Sequence, residues 1–161
     1  MSSIAIIEAD LAIPEHADAI ITLMDEYARD PMGGGRGLSE YTKTNLIPEL
    51  AIRKTARIII ALLEDKPAGL LTCLEGFSTF ACQPLLNIHD VIVSAPYRGQ
   101  GLSKLMLQAA EQIAIDLGCC KLTLEVLEHN HIAQKAYRSF GFNGYELNPE
   151  MGKALFWEKK L

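Results

Sequence analysis

No stretch of this sequence is long and apolar enough to cross a bilayer. The longest apolar runs, residues 58–63 and 68–73, fall far short of the roughly 20 residues a spanning helix needs. The amino terminus has no basic region followed by a long apolar stretch, so the chain reads as a cytosolic protein with no membrane partner. Basic charge is scarce as well: 15 Lys and Arg stand against 20 Asp and Glu, for a net charge of -5. A general nucleic-acid binder needs clustered Lys and Arg and is disfavoured, which leaves room only for a local anion site. The four cysteines, Cys73, Cys82, Cys119 and Cys120, form no CxxC pair beside histidine. They read as reduced thiols, not as a zinc finger or a disulfide framework. No linker stands out either, because the 7 prolines and 12 glycines are spread along the chain. With 161 residues, 49% hydrophobic and 22% charged, the expectation is one domain over residues 1–161 with one core.

Periodicity divides the chain into seven strands and four helices. Strands are predicted over residues 3–9, 56–63, 68–74, 85–93 and 121–127, with two closing strands over 142–147 and 155–160. Helices are predicted from Pro14 to Arg29, over residues 39–54 with a break or restart at Pro48, and from Leu102 to Leu117 with Gly118 as the stop. The last is capped by Asn130 and ended by Gly141. Residues 30–37, with Pro31 and four glycines, form a loop. Asp65, Lys66 and Pro67 make a hairpin turn, and residues 75–84 read as irregular.

The chemistry concentrates in the turn Arg98-Gly99-Gln100-Gly101-Leu102-Ser103, which follows a central strand and opens a helix. Free N–H groups at a helix start, aided by the helix dipole, cradle a phosphate or pyrophosphate. Glycines in a turn also occur merely to permit tight geometry, so this feature alone leaves both readings open. A Rossmann fingerprint fails because Lys104 stands where a third glycine packs, and no Gly-Lys-Ser/Thr P-loop is present.

The segment from Val93 to Ser103, followed about thirty residues later by Asn130, Ala133, Tyr137 and Gly141-Phe142, resembles the two signatures of the GNAT superfamily of acyl-CoA-dependent N-acyltransferases. The first is similar to that family's Arg/Gln-x-x-Gly-x-Gly/Ala, with Ser103 in place of the usual Gly or Ala. The resemblance implies a mixed α/β fold: a mostly antiparallel sheet of about seven strands, splayed between the fourth and fifth and flanked by four helices. It implies acetyl-CoA as co-substrate, held at its pyrophosphate by Arg98, Gly99, Gln100, Gly101, Leu102 and Ser103. The backbone of Val91, Ile92 and Val93 would bind the pantetheine arm as an added strand, with Asn130, Ala133 and Tyr137 completing the coenzyme site. The activity implied is transfer of the acetyl group to a primary amine of a small molecule or peptide, by direct attack in a ternary complex and with no metal. A homodimer is left open.

Each of these residues also has a plainer role. Tyr137 is either the general acid, a phenol able to protonate the leaving thiolate, or a core aromatic at helical spacing. Asn130 bonds the pantetheine amide, caps its helix, or does both. The strand over 85–93 places Asn87, His89, Val91 and Val93 on one face and Ile88, Asp90 and Ile92 on the other. His89, with Asp90 beside it, resembles the Glu-Asp pair of some amine acetyltransferases and is the candidate base, unless it is a structural histidine of the sheet. A covalent route through Cys119 or Cys120 is disfavoured, since both precede a strand at its amino end. Asp25, Glu26, Glu75 and Glu128 would suit a cationic acceptor or be solvated surface. Residues 30–37 and 77–80 would wall the acceptor or merely connect elements. The rival to an enzyme is a non-catalytic acyl-CoA-binding regulatory module on the same fold.

Overall fold

The computed structural model describes residues 3–161, which form two compact units, one ending at Leu127 and one running Glu128–Leu161. The first carries a sheet in the order β1 (Ile4–Glu8), β2 (Ala56–Leu63), β3 (Lys66–Ser78), β4 (Gln83–Val93), β5 (Leu122–Leu124). The first four strands are antiparallel neighbours, and β5 runs parallel to β4. With α1 (Pro14–Arg29), α2 (Glu40–Ala51) and α3 (Leu102–Asp116) in this unit, and α4 (His131–Phe140) in the second, four helices accompany a mixed, mostly antiparallel sheet.

The uninterrupted apolar run of β3 follows from cover on both faces. Residues 68–73 are all buried, so no polar alternation survives. On one face Leu70, Ile58, Ile60 and Ile92 pack against Ala19, Ile20 and Leu23 of α1. On the other, Gly69 lets Met106 of α3 approach so closely that a Cβ there would collide with the Met106 side chain. Each fully buried Leu or Ile of this core contributes about 1.5–3 kcal/mol.

The sheet has five strands among the described residues, not seven. Residues 142–147 and 155–160 carry strand-like side chains but build no ladder. The Ala154 N–H, just before the second segment, donates to the Tyr145 carbonyl of the first (3.1 Å), across a 3₁₀ turn over Pro149–Met151 that Asn148 caps. Strand propensity reports a fit to a half-buried pleated surface, and without a paired neighbour it does not make a strand. The hairpin turn also differs from the expectation. Glu64 and Asp65 hold it with φ of 50° and 61°, a two-residue turn whose left-handed pair suits the strand twist. Pro67 thereby enters β3 opposite Leu62. The stretch read as irregular is an extension of the next hairpin, paired from Glu75↔Leu86 to Ser78↔Gln83. Pro48 lies inside α2 without ending it. Among the described residues no helix is long and apolar enough to cross a membrane.

Candidate functional site

After β4 the chain makes a 3₁₀ turn over Ala95–Tyr97 and reaches the glycine turn at residues 98–103. Gly99 and Gly101 both have φ of 79°, a region costly for any residue with a Cβ. A Cβ on either would meet nothing within 4 Å, so these glycines serve conformation and leave open space over the turn. Gly101 is the N-cap of α3 and offers no side-chain cap, and no acidic residue lies in the first turn. By contrast, α2 is capped by the Ser39 hydroxyl and has Glu40 in its first turn. Helical bonding in α3 begins with the Leu105 N–H donating to the Gly101 carbonyl at 3.2 Å. The N–H groups of Leu102, Ser103 and Lys104 precede that bond and have no helical acceptor. Buried Leu102 anchors the turn from beneath. The arrangement fits an anion: free donors, a positive dipole end and no carboxylate in the first turn of α3.

Two carboxylates one helical turn apart at the end of α1 hold this segment. The Glu26 carboxylate accepts the Ala95 N–H (2.9 Å), and the Asp30 carboxylate accepts from the Arg98 guanidinium (3.0 Å). The Arg98 Nε donates to the Val93 carbonyl (3.1 Å). Arg98 is therefore directed at protein groups, and its backbone is what the turn offers to a ligand. The second Asp30 oxygen accepts the Met32 N–H (2.9 Å). That N–H, and then Arg98, hold the Asp30 carboxyl below its ordinary range.

The loop over residues 30–37 is ordered by backbone bonds. The Asp30 carbonyl accepts from Gly33 (2.8 Å) and Gly35 (3.1 Å), and the Ala28 carbonyl accepts from Arg36 (2.9 Å). A Cβ on Gly33 would run into the Tyr27 carbonyl. Asp25, a candidate for meeting a cationic acceptor, is spent on the Leu38 N–H (2.8 Å), the Arg29 Nε (3.0 Å) and Lys43 at 3.8 Å. The Leu38 N–H, then Arg29, lower its acidity range. Glu26 is likewise engaged with Ala95, so both candidates hold the fold.

The faces of β4 are not those that strict alternation predicts. Leu74 pairs with Asn87, Cys73 with Ile88, Thr72 with Asp90, Leu71 with Val91, and Leu70 with Ile92. His89 has no opposite number and is the extra residue of a β-bulge. Paired residues share a face, so Asn87, Asp90 and Ile92 lie together on the α1 side, while Ile88, Val91 and Val93 lie on the other. His89 is exposed. Burial pushes the Asp90 carboxyl above its ordinary range, opposed by the charge of His89 and the Thr72 hydroxyl. Burial also raises the Tyr27 phenol of α1, with the negative charges of Asp90 and Asp30 adding to it. Pairing between β4 and β5 covers only Leu86↔Leu122, Asn87↔Thr123 and Ile88↔Leu124. Val91, Ile92 and Val93 lie beyond it, with their β5-side edge unpaired by that strand. The thiol of Cys73 is pushed up to about 12 by burial, and that of Cys119 is raised by burial and Glu75. Neither is an activated nucleophile.

In the second unit the Asn130 side chain caps α4 by accepting the Ala133 N–H (3.2 Å). Helical spacing sets Asn130, Ala133 and Tyr137 along one side of α4. Gly141, with φ of 109°, closes the helix, and the Phe142 N–H donates to the Tyr137 carbonyl. The Tyr137 and Phe142 rings meet edge to face at 6.1 Å.

A model of the acetyltransferase (GNAT) family matches residues 20–142. Among curated proteins, the chain is similar to an uncharacterised N-acetyltransferase, YycN of Bacillus subtilis, at 41% identity over 68 residues, 42% of each chain. It is similar to the thialysine N-epsilon-acetyltransferase of Bos taurus at 35% identity over 56 residues, 35% of this chain and 33% of the relative. These matches span less than half of either relative. Among solved structures, an aminoglycoside acetyltransferase from an uncultured soil metagenomic sample superposes with a TM-score of 0.80 at 20% identity, covering 98% of this chain and 96% of that one. A probable acetyltransferase superposes at 0.78 and 25% identity, covering 97% and 99%.

Proposed function

The chain belongs to the acetyltransferase (GNAT) family, and from that premise we propose that it is one N-acetyltransferase domain that moves an acetyl group from acetyl-CoA to a primary amine of a small molecule or peptide. The observation that carries this reading is the uncapped start of α3, where two left-handed glycines leave backbone donors facing open space. The coenzyme pyrophosphate is assigned to residues 98–103, and the pantetheine arm to the free edge of Val91, Ile92 and Val93. Asn130, Ala133 and Tyr137 are assigned to the same coenzyme.

Acetyl-CoA supplies a thioester whose C–S bond breaks as the new N–C bond forms. The chain contributes position, a proton acceptor, a proton donor and an N–H for the carbonyl oxygen. The proton leaving the amine goes to His89, directly or through water. Asp90 is the competing acceptor, because desolvation raises its proton affinity above that of an ordinary carboxylate. The leaving sulfur takes its proton from the Tyr137 phenol. The raised thiol of Cys119 counts against that residue as an acyl-cysteine nucleophile. A cationic acceptor is supported by the net charge of -5 and by a relative named for thialysine.

The test is a broad amine panel with acetyl-CoA and mass detection of product. Appearance of an acetylated amine is the expected result. Coenzyme binding with no acylation across the panel would instead identify a non-catalytic acyl-CoA-binding module.

A further inference from the structure

Resting on the assignment of residues 98–103 to the coenzyme, we propose that Asp30 is a positioning residue that couples the coenzyme turn to the glycine-rich loop after α1. The carboxylate of Asp30 has two oxygens with two different duties. One accepts the Met32 N–H and so caps the 3₁₀ turn over Pro31–Gly33. The other takes the guanidinium of Arg98, the first residue of the coenzyme turn. The Asp30 carbonyl accepts from Gly33 and Gly35, so displacement of this one residue disturbs three bonds of the loop.

At the far end of the link, Arg98 is fixed to the last carbonyl of β4, that of Val93. Its planar fork makes both contacts at once, a geometry that an ammonium group does not reproduce. One turn earlier on α1, Glu26 holds Ala95, so the segment between strand and turn is gripped at both ends from the same helix. Ligand contact with the backbone of residues 98–103 restrains Arg98. Through Asp30 that restraint reaches residues 31–36. Coupling between two binding regions requires a contact that both can bias, and the Asp30 and Arg98 pair is such a contact. Its energy is modest because Arg98 is 59% and Asp30 25% exposed.

The experiment is hydrogen exchange on the full chain, with coenzyme A as probe, for the native protein, Asp30→Asn and Asp30→Glu. Asn retains the cap on Met32 but loses the ion pair; Glu retains the charge. The expected result in the native protein is that coenzyme A slows exchange at residues 102–104 and also at Met32, Gly33, Gly35 and Arg36. In Asp30→Asn the protection at 102–104 stays and that of the loop disappears, with coenzyme affinity falling roughly 2- to 5-fold. Asp30→Glu restores part of the loop response, which a purely structural role of Asp30 does not predict. Protection at 102–104 with none in the loop of the native protein overturns the coupling and leaves the coenzyme site standing. An unchanged loop response in Asp30→Asn also overturns it. No protection at 102–104 overturns the coenzyme site and the coupling together.

Discussion

Thr72 of β3 stands opposite Asp90 of β4, while its neighbour Cys73 stands opposite Ile88, so that His89 is displaced from the ladder between them. This bulge reverses the faces of everything after it. Asp90 turns toward Tyr27 and the α1 side, where burial raises its carboxyl. Val91 and Val93 turn to the α3 side.

The acidity of Asp90 gives a stability prediction whose sign can be worked out. Its folded proton affinity is raised, so the folded chain binds more protons than the unfolded one between the ordinary carboxylate range and the raised value. Stability falls as pH rises through that window and is constant above it. Asp90→Asn removes the half-buried charge while its amide oxygen still accepts from Thr72. Thermal unfolding is expected to show the variant more stable than the native protein at pH 7, with Tm higher by about 2–4 °C for each kcal/mol. The margin should vanish near pH 3. A variant less stable at pH 7 would contradict the desolvation account.

Gly101→Val should weaken coenzyme binding more than it weakens the fold. The φ of 79° makes the substitution strained, at about 1–2 kcal/mol, although its Cβ has open space around it. That open space is where phosphate is expected to approach the backbone. Calorimetry with acetyl-CoA and a parallel melting curve separate the two effects. Unchanged affinity in a folded variant would remove the pyrophosphate from this turn.

Tyr137→Phe keeps the ring that packs edge to face on Phe142 and removes only the hydroxyl. Coenzyme affinity is expected to hold while turnover drops about 100- to 10,000-fold. Equal turnover would make Tyr137 a packing residue of α4 and nothing more.

Much of this architecture is legible from side chains alone. The apolar runs of β2 and β3, the periodicity of α1 and α3, Asn130 and Gly141 at the ends of α4, and the glycine turn all follow from local chemistry. What escapes is set by backbone partners far away in sequence. Nothing in the alternation of residues 85–93 announces that β3 skips His89. The carboxylates Glu26 and Asp30 look like ordinary polar positions near the end of an amphipathic helix, because their partners, Ala95 and Arg98, lie 69 and 68 positions away. A charged pair spaced i, i+4 at a helix end, before a Pro-Gly loop, is the only local hint, and it does not specify a partner. Residues 142–147 and 155–160 fail in the opposite sense, having strand-like side chains without a ladder to join.

The proton acceptor is the step at which the bulge matters most, and pH dependence can assign it. His89 is exposed at the bulge and lies outside the β3–β4 pairing. Asp90, adjacent in sequence, is half-buried on the α1 side, and desolvation raises its carboxyl. If His89 takes the proton from the amine, His89→Ala lowers turnover most near neutral pH, and activity recovers at high pH, where the amine deprotonates unaided. The acidic limb of the profile should then move, since the group that produced it is gone. If Asp90 is the acceptor, His89→Ala leaves the limb in place apart from a small upward displacement, because the His89 charge that opposed burial has been removed. Asp90→Asn would then abolish the limb while His89 remains. The pair of profiles, measured as kcat/KM against pH for the best amine of the panel, is expected to show loss of the limb in His89→Ala. A limb that keeps its height and moves no more than slightly upward in that variant would exclude His89 and leave Asp90 as the base.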